Sequence, residues 1–191
     1  LQCYNQHAKE FFDSTRDVKF KDMQERFLKY LQPGDRILDF GCGSGGDTRY
    51  FMDRGFETDA IDGSEELVRI ASEYTGIEVR QMYFQNLDEK EAYDGIWACS
   101  SILHLSYGEL EDVFVKMARA LNHHGILYTS FKYGTAEGEP SGRYFTDMTE
   151  RKMDKLLKDV NTFDIMEMWV TDDVRPGRAE EKWLNMILRK K

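Results

Sequence analysis

The stretch LDFGCGSGGD, residues 38–47, places four glycines, Gly41, Gly43, Gly45 and Gly46, between an apolar run and a helical pattern. Glycine lets a ligand approach the backbone closely, and the N–H groups at the start of the following helix point toward an anionic or electron-rich group. Gly41, Gly43 and Gly46 satisfy G-x-G-x-x-G, and Asp62 stands 21 residues after Gly41, at the end of the next apolar run. A carboxylate there can accept hydrogen bonds from both hydroxyls of a ribose. Ribose-containing cofactors of dehydrogenases and of methyltransferases fit this pattern equally.

Other chemistry-bearing residues are more ambiguous. Cys42 reads as a small loop residue and Cys99 as one packed at a strand end. His104 follows an apolar run and is open to two readings, a general base or a packed, satisfied histidine, of which the second is favoured. His123 and His124 are neighbours in a turn with no further ligands in the pattern, so no metal site is expected. Asp47 suits the helix dipole by itself and could equally touch a cofactor's amino group. Trp97, Trp169 and Trp183 lie in strand patterns and read as core.

The elements that must position these groups alternate between short apolar runs and helical patterns, the signature of a parallel sheet covered on both faces. Helical spacing is expected at residues 5–13 and 18–31, stopped by Pro33-Gly34. Strands are expected at residues 36–40, 57–62, 77–82, 93–100 and 125–131. Helices are expected after the glycines to about residue 55, from Ser64 to about residue 74, and at residues 108–121. Asp147 with Glu150 reads as a capping box for a helix to about residue 159. Residues 163–170 and 182–189 form a closing pair joined by TDDVRPGRAEE, which has no room for a crossover helix and so makes the pair antiparallel.

The chain has 191 residues, 26 basic against 35 acidic, and a formal net charge of −9. The length fits one domain, residues 1–191, with a sizeable core. The acidic balance argues against an unspecific nucleic-acid binder, which needs a field of Lys and Arg. No segment approaches the roughly 20 apolar residues that span a bilayer, so no membrane association is expected. Three cysteines without a C-x-x-C pair point to neither a disulfide framework nor a zinc knuckle and fit a reducing cytoplasm.

Four stretches, in order, resemble the class I S-adenosylmethionine-dependent methyltransferases. LDFGCGSGGD resembles the family's first motif, including the acid Asp39 before the turn, and AIDGSEEL, residues 60–67, resembles the second. YDGIWACSSILHL, residues 93–105, looks like the fourth-strand motif, and LNHHGILYTSF, residues 121–131, like a stretch that more often reads Leu-x-Pro-Gly-Gly. Within the class the chain is similar to the small group that includes tellurite-resistance-type enzymes. The resemblance implies a Rossmann-like, doubly wound α/β fold with a seven-stranded sheet, mostly parallel, whose last strand is antiparallel. It implies S-adenosylmethionine as cofactor and S-adenosylhomocysteine as product. Gly41, Cys42 and Gly43 would then line the methionine half of the cofactor, Asp62 the ribose, and Gly63 and Ser64 the adenine edge. Cys99 and Ser100 would face the aminopropyl arm. The third motif departs from the pattern, with Tyr83 where an acid is common, and leaves Phe84 and Gln85 as the adenine-contacting pair.

Ligands in open α/β sheets lie beyond the carboxyl ends of the parallel strands. That rim comprises residues 101–107, 132–145 and 171–181, with the N-terminal helices, residues 1–34 and Tyr4, Phe11 and Phe12 among them, placed to cap the cofactor site. Residues 132–145 hold three glycines and a proline and read as a mobile lid. Arg143, Arg175 and Arg178 are candidates for an anionic acceptor. No dedicated recognition domain fits within this length, which favours a small-molecule acceptor. No catalytic residue and no oligomeric state is assigned. Two alternatives stay open, a nicotinamide-dependent oxidoreductase of Rossmann type and a non-catalytic S-adenosylmethionine-binding protein.

Overall fold

The computed structural model describes residues 21–139, 142–173 and 180–191. The helix expected at residues 5–13, together with Cys3, Tyr4, Phe11, Phe12, Arg175 and Arg178, lies outside the described residues. The first described helix, α1, is Lys21–Leu28. It is followed by β1 Arg36–Phe40, α2 Gly46–Met52, β2 Glu57–Asp62, α3 Glu65–Thr75 and β3 Arg80–Gln81. Next come β4 Tyr93–Ala98, α4 Tyr107–Ala120, β5 Leu121–Lys132, β6 Glu137–Gly138 and β7 Phe145–Thr146. The described chain closes with α5 Glu150–Val160, β8 Phe163–Asp172 and β9 Lys182–Lys190. Short 3-10 turns at Phe84–Asn86 and Ile102–His104 follow β3 and β4.

One seven-stranded sheet carries the fold in the order β3-β2-β1-β4-β5-β9-β8. β1 pairs in parallel with β2 and β4, and β4 in parallel with β5. β9 runs antiparallel to both β5 and β8, the second pairing as expected from the short link between them. The alternation along β1 sorts the core into two layers. Ile37 joins Phe27 of α1, Phe51 of α2, Trp97 and Tyr128 on one face. Leu38 and Phe40 join Phe114 and Met117 of α4 and Leu156 of α5 on the other. Both layers are buried, which explains why the central strands read as nearly continuous apolar runs. α1 sits so close to β4 that a Cβ on Gly95 would come within 2.7 Å of the Phe27 ring.

Four expectations are corrected, and the segment expected as a lid gains detail. The strand expected at residues 77–82 is only the pair Arg80–Gln81, because it is the sheet's edge and pairs with β2 over two residues. The helix expected at residues 18–31 is Lys21–Leu28 within the described chain. Asp147 does not cap α5. Its N–H is bonded to the Ala136 carbonyl, so the chain is still extended there, and the cap is Thr149, whose side chain accepts from Lys152 N–H. β5 starts earlier than expected, at Leu121, and His124 (φ 62) holds the left-handed turn where glycine is usual. The stretch expected as a lid contains two paired strands, β6 and β7.

Candidate cofactor and acceptor site

The glycine turn is built by β1 ending where α2 begins. Gly41 and Cys42 N–H both donate to the Ile61 carbonyl of β2, at 3.0 and 2.9 Å. This folds the turn over the end of the neighbouring strand. Gly41 has φ +90, and a Cβ there would lie 2.5 Å from Ser101 Cβ and 3.0 Å from the Phe84 ring. Only glycine fits between these walls. α2 is capped at Gly45 without a side-chain hydrogen bond.

Asp62 ends β2 beside this turn. Its Oδ2 accepts Gly43 N–H at 2.9 Å and its Oδ1 accepts Ser64 N–H at 2.8 Å. A carboxylate has about four lone-pair positions, so both oxygens can accept further bonds. Burial pushes the Asp62 carboxyl up, while the N–H groups of Ser64, Gly43 and Gly63 pull it down. Ser64 caps α3, accepting from Leu67 N–H at 3.3 Å, and Gly63 carries a carbonyl reached by Gln81 Nε2 at 3.4 Å.

Asp39 and Asp47 add two more acids. Asp39 is buried and accepts Thr48 Oγ1 at 2.6 Å. Its carboxyl is held well above the ordinary range by burial and then by the Asp47 charge. Asp47 accepts Trp97 Nε1 at 2.8 Å and Gln24 Nε2 at 2.5 Å. Burial raises its carboxyl and those two donors oppose the shift. Trp97, expected simply as core, is fully buried yet also positions an acid 50 residues away in sequence. Gln24 had no signal in the sequence, because a glutamine on the buried face of an amphipathic helix resembles a break in the pattern. Three acids around one glycine turn make a site suited to a cationic ligand.

The turn after β4 closes the other side. Ser101 Oγ donates to the Phe40 carbonyl at 2.6 Å, tying this turn to the end of β1. Ser100 takes the left-handed conformation (φ 50), and its N–H donates to Ser130 Oγ at 2.9 Å. Cys99 Sγ lies 3.9 Å from both Ser100 Oγ and Ser130 Oγ. Burial pushes the Cys42 and Cys99 thiols up, which keeps them protonated and poor nucleophiles at neutral pH. Phe84 packs on Phe40, with ring centroids 4.7 Å apart, and so borders Gly41. Gln85 is engaged by α4: its amide donates to Glu109 at 3.0 Å and its carbonyl accepts Lys116 Nζ at 2.5 Å.

Next to this site, the segment after β5 is fastened to the segment after β4. Thr146 Oγ1 donates to the Leu105 carbonyl at 2.6 Å, and Glu137 accepts Tyr107 N–H at 3.0 Å and Tyr144 OH at 2.9 Å. His104 Nδ1 lies 2.7 Å from the Tyr144 carbonyl. Phe145 is flanked by Lys132 Nζ at 4.7 Å and the Arg143 guanidinium at 5.5 Å. His123 and His124 are exposed and stacked, far along the chain from this rim. Among the described residues, no group of three or more His, Cys, Asp or Glu is arranged to hold a metal ion.

A family model for a methyltransferase domain matches residues 37–125, from β1 into the bend of β5. The chain is an S-adenosylmethionine-dependent methyltransferase with a Rossmann-like fold. The methyltransferase is 25% identical over 143 residues to a Staphylococcus carnosus protein described as an uncharacterized methyltransferase, with 69% of each chain covered. It is 31% identical over 129 residues to the 2-methyl-6-phytyl-1,4-hydroquinone methyltransferase of Synechocystis sp., covering 63% of this chain and 39% of that one. Its fold is shared, at a TM-score of 0.80 and 20% identity over 100% of this chain and 86% of the other, with a Burkholderia thailandensis enzyme. That enzyme is 1,6-didemethyltoxoflavin-N1-methyltransferase, solved with 1,6-didemethyltoxoflavin and S-adenosylhomocysteine. The cofactor of the methyltransferase is S-adenosylmethionine and the product formed from it is S-adenosylhomocysteine. Among the described residues no helix is long and apolar enough to cross a membrane.

Proposed function

We propose that the methyltransferase transfers a methyl group to a small-molecule acceptor. In this reading the cofactor is held by Gly41, Cys42, Gly43, Asp62, Gly63, Ser64, Phe84, Gln85, Cys99 and Ser100. The chain acts as one domain, residues 1–191, whose N-terminal helices, residues 1–34, cap the site. The observation that carries it is Asp62, which is bonded through both carboxylate oxygens to the loop that must accept the ligand and keeps lone pairs for two ribose hydroxyls. The glycine at position 41, where a Cβ would collide with Ser101, supports a cradle shaped for close approach. Gln24 of α1, bonded to Asp47, supports a capping role for the N-terminal helices.

The cofactor supplies an activated methyl on a positively charged sulfur when bound. The residues then have three tasks. Asp39, Asp47 and Asp62 set up a negative field that favours a cation over its neutral product. Ser101 and Phe84 fix the glycine turn so the ligand's position is set before the acceptor arrives, and positioning accounts for much of the acceleration in an in-line transfer. The 132–146 segment, fastened to residues 104–107, offers Lys132, Arg143 and Phe145 to an acceptor. The small-molecule reading is also in keeping with the named activities of the Synechocystis and Burkholderia relatives. Calorimetric titration with S-adenosylhomocysteine, followed by a methyl-transfer screen over metabolites and metalloid oxyanions, tests it. One binding site per chain with turnover of a small acceptor is expected, and turnover confined to protein or nucleic acid overturns it.

A further inference from the structure

We propose that Ser130 of β5 is a positioning residue for the cofactor: its hydroxyl holds Ser100 in the left-handed conformation and, through it, the wall that Ser101 forms against the glycine turn. The proposal rests on the cofactor-site assignment above and adds to it a residue of β5, a strand that supplies none of the residues assigned there.

The turn after β4 is built on an uncommon backbone. Ser100 has φ 50, a region that glycine enters freely and that a residue with a Cβ enters at a cost. Such a conformation persists only where its surroundings hold it. The parallel ladder no longer does so, because the last β4–β5 pair is Ala98 with Thr129. Just beyond that pair the Ser130 side chain takes over: its Oγ accepts Ser100 N–H at 2.9 Å and lies 3.4 Å from Ser100 Oγ. The same hydroxyl donates toward Cys99 Sγ at 3.9 Å, so it reaches both residues that leave the strand. Ser130 is buried and paired with Asn185 of β9, which makes the anchor part of the sheet itself.

A left-handed residue sets the direction of the next one. Ser101 is turned back over the end of β1, where its Oγ donates to the Phe40 carbonyl at 2.6 Å and its Cβ stands 2.5 Å from where a Cβ on Gly41 would be. β5 and β1 are not neighbours in the sheet, since β4 lies between them. Ser130, Ser100 and Ser101 together connect them. Without the Ser130 hydroxyl, the half-buried Ser100 loses the acceptor of its N–H, and the turn samples right-handed and extended conformations that carry Ser101 away from Gly41. Only the fraction of molecules with the wall in place then binds the cofactor in its assigned position, and the apparent affinity falls with that fraction.

The test reads the bond first and its consequence second. In the free parent the Ser100 amide should be protected against hydrogen exchange. In Ser130→Ala it should exchange as an open turn does, while the amides of β4 and β5 keep their protection. Calorimetric titration should show S-adenosylhomocysteine binding Ser130→Ala about three- to tenfold more weakly than the parent, the worth of one hydrogen bond. Glycine needs no anchor to be left-handed, so in a Ser100→Gly background the same Ser130→Ala change should weaken binding less than about twofold. A merely structural role of Ser130 within β5 would weaken it equally in both backgrounds. Equal losses in the two backgrounds, or a Ser100 amide as protected in Ser130→Ala as in the parent, overturn the proposal. A parent that binds, with Ser130→Ala binding within about a factor of two of it, overturns the role of Ser130 alone. A parent that does not bind S-adenosylhomocysteine overturns the site assignment and this role with it.

Discussion

Removing the Asp62 carboxylate separates the duty the structure shows, shaping the glycine turn, from the one proposed for it, holding the ribose. In the free protein Asp62→Ala strips acceptors from Gly43 N–H at 2.9 Å and Ser64 N–H at 2.8 Å. Bonds to a charged partner contribute about 1.5–3 kcal/mol each. Relief of the buried charge, whose carboxyl is pushed up by burial, offsets part of this. A net loss of about 2–4 kcal/mol is expected, and because 1 kcal/mol moves Tm by about 2–4 °C in a domain near this size, the free protein should melt on the order of 10 °C lower. Two charge-assisted ribose bonds add about 2–4 kcal/mol to binding, or about thirty-fold to nearly a thousand-fold in Kd. Asp62→Asn keeps the shape and one acceptor oxygen, so it should lie between Ala and the parent in both readouts. The assays are thermal unfolding without ligand and calorimetric titration with S-adenosylhomocysteine. If Asp62→Ala melts lower yet binds within a factor of two of the parent, Asp62 only shapes the loop and the ribose is held elsewhere.

Gly41→Ala forces a Cβ to within 2.5 Å of Ser101 Cβ at φ +90, so it should lose about 1–3 kcal/mol in urea unfolding, whereas Gly46→Ala, which meets nothing within 4 Å, should keep parental stability. Equal stability for the two variants would contradict the cradle. The Asp39 carboxyl titrates above its ordinary 3.8 in the folded protein, so the native state holds more protons and stability falls as pH rises from that value through the folded pKa. Asp39→Asn, which can still accept the Thr48 hydroxyl, should therefore raise the Tm of the free protein at pH 7, with the gain shrinking toward pH 4; a pH-independent difference in a Tm series refutes this. Gln24→Leu and Trp97→Phe each leave Asp47 with one donor, and a double-mutant cycle on unfolding free energy should show a coupling above about 0.5 kcal/mol. Strict additivity would mean that the two donors act independently.

The glycine turn and its partner acid are written in the sequence because much of their geometry is local backbone. Gly41 needs a positive φ, Asp62 ends the strand beside it and accepts Ser64 N–H, and Ser64 caps the helix that follows by accepting Leu67 N–H, while the longer bond from Gly43 to Asp62 follows from the pairing of β1 with β2. The parallel sheet and its antiparallel close were legible for the same reason, since strand period and link length are properties of contiguous residues. Where the sequence pointed to Asp147 as the cap of α5, the tertiary bond from Asp147 N–H to Ala136 keeps the chain extended there and Thr149 caps the helix instead. The surroundings of Asp47 and the rim after β4 and β5 were decided by packing. Gln24 and Trp97 meet on Asp47, Ser101 reaches back to Phe40, and the 132–146 segment is fastened to Leu105, Tyr107 and His104. These contacts join residues 23 to 61 positions apart, and no periodicity carries information over such separations. Local pattern dictates which face of an element is apolar; only the assembled core dictates which polar side chain arrives opposite another.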